Sequence, residues 1–146
     1  MAQTRFPGKD LHVEIENAAS ASQVLTGVTS VTGLPGEVEH YDATAVGDAG
    51  RKHVAGLENV TVTIEGWYDN TATTGSQVVL SGLAAVRSAD QESVLIYGPI
   101  GNTSGMEKFT ATVKMKSLEY PATLGDLVKF RCELLVQGQA VASTFA

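Results

Sequence analysis

The stretch "GDAGRKH", residues 47–53, sets two glycines ahead of an arginine, a lysine and a histidine, the residue types from which phosphate-binding loops are made. A Walker-type loop needs four residues between its glycines, then Lys and Ser or Thr, with a strand before it and a helix after it. Here two residues separate Gly47 from Gly50, Arg51 follows at once, and a strand-like run comes next. The spacing favours a flexible polar connection between two strands over a nucleotide site.

Other chemistry-bearing residues lead to the same place. His12, His40 and His53 share no i, i+4 or H-x-H spacing and no cysteine pair accompanies them, so they read as residues on the wet faces of strands and not as metal ligands. The serines occur in "TSG" and "LSG" contexts, without the G-x-S-x-G elbow of a nucleophile. Glu14, Glu16, Glu37, Glu39 and Asp42 fall on strand faces with no sign of a desolvated acid/base pair, and a solvated acidic face is the simpler reading. Cys132, the one cysteine, sits among apolar neighbours in "FRCELLV" and reads as a small core residue. No enzyme, cofactor or metal is expected.

The elements that carry these residues alternate with period two, the mark of strands with one buried face. The apolar sets are Leu11, Val13 and Ile15; Val60, Val62 and Ile64; Phe109, Ala111, Val113 and Met115; and Val128, Phe130, Cys132, Leu134 and Val136. Further strands are expected around residues 22–33, 37–45 and 93–98, the last ("SVLIYG") as a run buried on both faces. About seven strands in antiparallel order make a mainly β fold, an antiparallel β-sandwich or barrel. One helix interrupts them at about residues 76–89, where Val79, Leu83 and Val86 recur at helical spacing and Ser76 can serve as N-cap.

A long loop, about residues 43–56, stays without regular pattern, and loops of that size in compact domains tend to be functional or ordered by a partner. "GWYDN" places Trp67 and Tyr68 on opposite faces of a strand end. Either the following helix caps them or they form an aromatic contact at a subunit boundary.

Composition bounds the rest. The 146 residues, 43% hydrophobic and 18% charged, suit one folded domain spanning 1–146. A formal charge of −6 and a pI near 4.9 give no electrostatic reason to hold nucleic acid tightly. With no apolar leader at the N-terminus and no 18-residue apolar run, the expectation is synthesis in the cytosol, without export by signal peptide or membrane spanning.

The order of the pieces resembles the major tail tube proteins of long-tailed phages. Three stretches carry the likeness: "EVEHYDATAVGD", a strand leading through an acidic-Thr step into a Gly-Asp loop; "HVAGLENVTVTIEGWYD", a Gly-Leu strand ending near an Asp; and the closing strand "LGDLVKFRCELLVQG". The resemblance runs over nearly the full length. It implies a sandwich or barrel with a flanking helix, six copies closing into a ring through strand pairing, and rings stacked into a hollow tube through which DNA leaves the capsid. It implies as partners a tape-measure protein and tail terminator or baseplate proteins, assembly in the host cytoplasm, and residence in the virion tail.

Carried onto this sequence, the loop at 43–56, with Asp48, Arg51, Lys52 and His53, is the expected contact to a neighbouring ring, mobile before assembly and fixed after it, and the N-terminal arm is a second contact. Glu37, Glu39 and Glu65 are expected to face the lumen, where like charge lets phosphates slide past. Lys114, Lys116, Lys129 and Arg131 do not suit such a wall, so they are expected outside, or paired with carboxylates between subunits. The inner tube of a contractile tail or secretion device shares the same fold. From a different class, a carbohydrate-binding or adhesion β-sandwich calls for a platform of exposed aromatics, and this chain has four Phe, four Tyr and a single Trp.

Overall fold

The computed structural model describes residues 11–34, 36–58, 60–69, 75–86 and 89–146. Among these residues nine strands and one helix follow in the order β1 (His12–Glu16), β2 (Ser22–Val24), β3 (Val28–Thr32), β4 (Val38–Asp42), β5 (His53–Glu58), β6 (Thr61–Trp67), α1 (Ser76–Ala85), β7 (Ser93–Gly98), β8 (Glu107–Glu119) and β9 (Lys129–Thr144). Seven of the strands form one antiparallel sheet in the order β2-β1-β7-β8-β9-β6-β3, and β4 and β5 pair separately as a two-stranded ribbon.

That order dictates the shape. β2 and β3 occupy opposite edges of the large sheet yet are joined only by Leu25, Thr26 and Gly27. Laid flat, seven strands would put the edges roughly 29 Å apart at strand spacing, while such a link spans roughly 14 Å at most. The sheet must roll until its edges meet at this corner. Hydrogen bonds fix the closure: Leu25 N–H donates to Val13 O of β1 at 2.9 Å, and Gly27 O accepts from Trp67 N–H of β6 at 2.9 Å. The result is a rolled sheet short of a closed barrel.

The alternation read in the sequence decides what the roll encloses. Val13, Ile15, Val62, Ile64, Leu95, Ala111, Val113, Phe130, Cys132 and Leu134 are buried on its inner face. Helix α1 adds Val79, Leu80 and Leu83 to this core, lying against β8. Val128 departs from the expected set: it precedes β9 and stays 41% exposed.

Several expected boundaries move. The helix ends at Ala85, not near 89, with Val86 already at φ −106 and ψ 9; residues 87 and 88 lie outside the described residues. Its N-cap is Gly75 in extended conformation, not Ser76. The segment 22–33 is two strands on opposite edges, because the corner at Leu25–Gly27 turns it. In β7, Ser93, Leu95 and Gly98 are buried but Val94 and Ile96 are only partly covered, so it is a half-buried strand. The loop at 43–56 shortens to 43–52, since His53 already opens β5. β8 and β9 run well past their expected ends, pairing from Glu119↔Arg131 to Glu107↔Thr144.

Candidate assembly surface

The ribbon β4–β5 has little apolar cover on either face: Tyr41, Val54 and Leu57 are all more than half exposed. Two strands alone are at best marginally stable in water, because they bury too little surface to offset the entropy of ordering them. Local hydrogen bonds supply part of what burial does not. The Asp42 carboxylate accepts from Thr44 N–H at 2.9 Å and from Arg51 Nη1 at 2.8 Å, Lys52 N–H donates to Thr44 Oγ1 at 3.0 Å, and Ala45 N–H donates to Asp48 Oδ2 at 2.7 Å. Lys52 Nζ lies 3.3 Å from Asp48 Oδ1.

The loop is thus knitted by its own hydrogen bonds into a tip. The hydrogen bonds from Thr44, with a smaller one from Arg51, hold the Asp42 carboxyl below the usual carboxylate range. Short Asx-type bonds of this kind explain why "YDATAVGD" folds locally: Asp42 and Asp48 each accept from a backbone N–H within three residues. Lys52 pairs with Asp48 at this tip, Arg51 pairs with Asp42, and His53 opens β5 across from Asp42. The N-terminal arm lies outside the described residues.

A second surface is the outer face of β6, β9 and β8. Glu65 and Arg131 are cross-strand partners in register, and Arg131 also reaches Glu119 at 3.3 Å and Glu133 at 3.5 Å. Lys116 lies 3.7 Å from Glu133, Lys114 2.7 Å from Asp90, and Lys129 3.7 Å from Asp126. All four basic residues, expected outside the lumen or paired with carboxylates between subunits, find carboxylates inside one chain. Glu65 shares its face with these cations. Glu37 and Glu39 stand apart from it, Glu39 on β4 accepting from the Tyr41 hydroxyl at 3.3 Å and Glu37 just before the strand. Among the described residues, no ion pair involves Glu37.

A third surface carries Trp67 and Tyr68, the aromatic pair singled out in the sequence, together with a turn that sequence reasoning missed. Trp67 and Tyr68 are 39% and 40% exposed, and Ser81 of α1 hydrogen-bonds the Tyr120 hydroxyl beside them. Tyr68 meets Tyr120 edge to face at 5.2 Å, and Lys129 Nζ stands 5.3 Å over the Trp67 ring. Beside them the turn between β8 and β9 exposes Leu124, Leu127 and Val128. The signal was present in "YPATLGDLV", where three aliphatics interrupt a turn-rich segment. Among the described residues no group of three His, Cys, Asp or Glu side chains is arranged to hold a metal ion.

No family model matches the chain and no curated protein matches it. Solved structures do. The tail of an empty GTA (gene transfer agent) particle with C6 symmetry superposes with a TM-score of 0.70 at 13% identity, covering 99% of this chain and 100% of that one. The SPP1 tail tube gives 0.69 at 12% identity over 96% of this chain and 81% of that one. The sheath/tube terminator of the extracellular contractile injection system PVC, in its extended state, gives 0.69 at 11% identity over 99% and 100%. The rolled sheet, its helix and the ribbon together are thus the fold found in tail tubes, over nearly the whole chain.

Proposed function

We propose that this chain is the single-domain structural subunit of a phage-type tail tube, closing six to a ring and stacking rings into a channel for DNA. The observation that carries the reading is a full-length match to tail tube structures by a fold whose pairing groups are left open. Among the described residues, β2 and β3 end the large sheet with no strand paired to their outer edges, and the ribbon extends from it with both faces wet. Open edges on an isolated protein invite aggregation, whereas pairing with copies of itself removes them. The C6 symmetry of the GTA tail supports six as the ring number.

Within this reading the Asp48–His53 tip contacts the neighbouring ring, and its partners are other copies, a tape-measure protein and terminator or baseplate proteins in a virion tail. The role is structural and not catalytic. A ring of six multiplies the chain's −6, so DNA passes without the counterion-release gain that drives binding. Glu37 and Glu39 serve a lumen best. Glu65 serves it less, because Arg131 at 3.2 Å offsets its charge.

The inner tube of a contractile device is supported by the match to the injection-system terminator, and a sheath gene beside this one distinguishes the two. Negative-stain microscopy of the purified protein tests the common claim. Rings or tubes are expected; monomers persisting at high concentration would overturn it.

A further inference from the structure

The ribbon prolongs another strand pair. β3 and β6 are paired from Val28↔Gly66 to Thr32↔Thr63, the ladder then stops, and β4 and β5 take it up again at Val38↔Glu58. Two glycines with left-handed backbone lie in the break, Gly33 at φ +105 and Gly36 at φ +132. A Cβ on Gly33 would collide with the Thr61 carbonyl, so the two chain segments pass here more closely than side chains allow. Open space flanks the break. One cleft, of about 330 Å³, is lined by Gly33, Gly36, Glu37 and Thr61; the other, of about 450 Å³, lies between Leu57 and Glu58 of the ribbon and Gly138 and Gln139 of β9.

On the sheet side of the break the chain is pinned. Val60 is buried in the core, and its carbonyl accepts from Val136 N–H of β9 at 3.1 Å. On the far side the ribbon is stiff, with the Tyr41 ring laid over Gly56 and the tip bonded to itself through Asp42, Thr44 and Arg51. A stiff arm joined to a pinned base through a break in its ladder turns at the joint and does not bend along its length. Gln139 bridges arm and sheet across the larger cleft: its Nε2 donates to Glu58 Oε1 at 3.0 Å. The second oxygen, Glu58 Oε2, is covered, and no described donor reaches it. The hydrogen bond to a charged group favours this position and the covered oxygen opposes it by a similar amount, so the bridge is one that can open.

We propose that the β4–β5 ribbon is a hinged arm that turns about Gly33, Gly36 and Val60, with the Gln139–Glu58 hydrogen bond as its latch. Five residues of strand span roughly 17 Å, so a turn of about 20° carries the tip about 6 Å. The latch thereby sets where the Asp48–His53 tip is presented. Joint and latch lie within one chain, and the inference stands apart from the tube reading.

Spin labels at Val54→Cys on the ribbon and Lys116→Cys on β8, both exposed positions, report the angle by double electron–electron resonance in the full chain at concentrations where it is monomeric; Cys132 is buried and stays unlabelled. The latched chain is expected to give one main distance. Gln139→Ala should raise the population at a second distance roughly tenfold, the effect of losing a hydrogen bond to a charged group. Gln139→Lys, which can pair with Glu58, should restore the first distance. Gln139 is exposed, so both variants keep the core. Amide exchange within the ribbon is expected to stay at the wild-type rate in both, because the arm turns as a body. An unchanged single distance in Gln139→Ala overturns the hinge, and so does a second distance accompanied by faster exchange along β4 and β5, which would mean that the strands separate instead. A Gln139→Lys chain that behaves like Gln139→Ala overturns the latch. The measurement needs no assembly, so none of these failures touches the tube reading.

Discussion

Gly27 O accepts the hydrogen bond of Trp67 N–H at 2.9 Å, and it can do so because residue 66, next to Trp67, has no side chain. A Cβ built on Gly66 would stand 2.5 Å from that carbonyl oxygen and 2.7 Å from the Phe130 ring. The corner that carries the chain from one edge of the sheet to the other thus closes through a position where any larger residue collides with backbone on one side and core on the other.

Gly66→Ala is therefore expected to push the corner off β6. Overpacking of this kind costs about 2 kcal/mol, a loss of roughly 4–8 °C in Tm for a chain of this length. Gly50→Ala is the control, since a Cβ there meets nothing within 4 Å. Thermal unfolding of the two variants side by side checks the claim; equal Tm values would show that the corner gives way freely.

Arg131 stands opposite Glu65 in the β6–β9 register and holds two further carboxylates, Glu119 and Glu133. Its Nε approaches Glu65 Oε1 to 3.2 Å without hydrogen-bond geometry, so this contact is an ion pair only. Half-exposed pairs contribute little singly, but Arg131→Gln leaves three carboxylates facing one another, and a loss of about 1 kcal/mol is expected. Added salt should stabilise this variant by screening the repulsion, whereas it should leave the wild type unchanged or slightly weaker. Urea midpoints at low and high salt decide this. Glu65→Gln in the Arg131→Gln background should recover part of the loss.

The same face shows what a single sequence can carry. Alternation placed Val62, Ile64, Cys132 and Leu134 inside because side-chain direction along a strand is a local property. It also put Lys129 and Arg131 on the wet face. It could not say that Glu65 lies across from Arg131, because register depends on the order β8-β9-β6, which brings together segments some 65 residues apart. Segment 22–33 looked like one strand since nothing in "SQVLTGVTSVTG" announces that its halves pair with opposite edges; only Gly27, at φ +72, marks the corner. The extension of β9 through "QGQAVAST" was hidden for another reason: its residues are mostly exposed and lack the hydrophobic alternation that reveals a half-buried strand. Of the candidate surfaces, the Asp48–His53 tip was legible as an irregular polar loop. Trp67 and Tyr68 were legible too, but their partners Lys129 and Tyr120 were not, since these come from a distant strand and turn.

At the ribbon tip, Asp42 binds Thr44 and Arg51 as a carboxylate, which holds its pKa in the folded chain below the unfolded value near 3.9. The folded form therefore binds its proton less readily than the unfolded one, and the stabilisation is complete above about pH 5 and lost as pH falls through the folded pKa. Amide exchange within residues 43–52 is expected to speed up in that acid range while the sheet stays protected. Asp42→Asn should show the faster exchange already at neutral pH. A tip whose exchange is independent of pH in the wild type, after correction for intrinsic rates, would contradict the role given to this carboxylate.

Cys132 lies in the centre of the core with none of its surface exposed, opposite Ile64 on β6. Burial disfavours the thiolate and pushes the thiol pKa up to about 12. In the unfolded chain the same thiol ionises near 8.5. Its contribution to stability is complete below that value, and shrinks as pH climbs from there through the folded pKa, because the unfolded state then sheds a proton that the folded state keeps. Two results should follow. A thiol reagent at pH 8 should label the native chain only at the rate of global unfolding, and urea should accelerate labelling in step with the loss of structure. Between pH 8.5 and 10, wild-type stability should fall more steeply than that of Cys132→Ala, the difference tracing the one thiol. Rapid stoichiometric labelling of the native chain would mean that β9 opens to solvent at its middle, and the core described above would then be wrong at its centre.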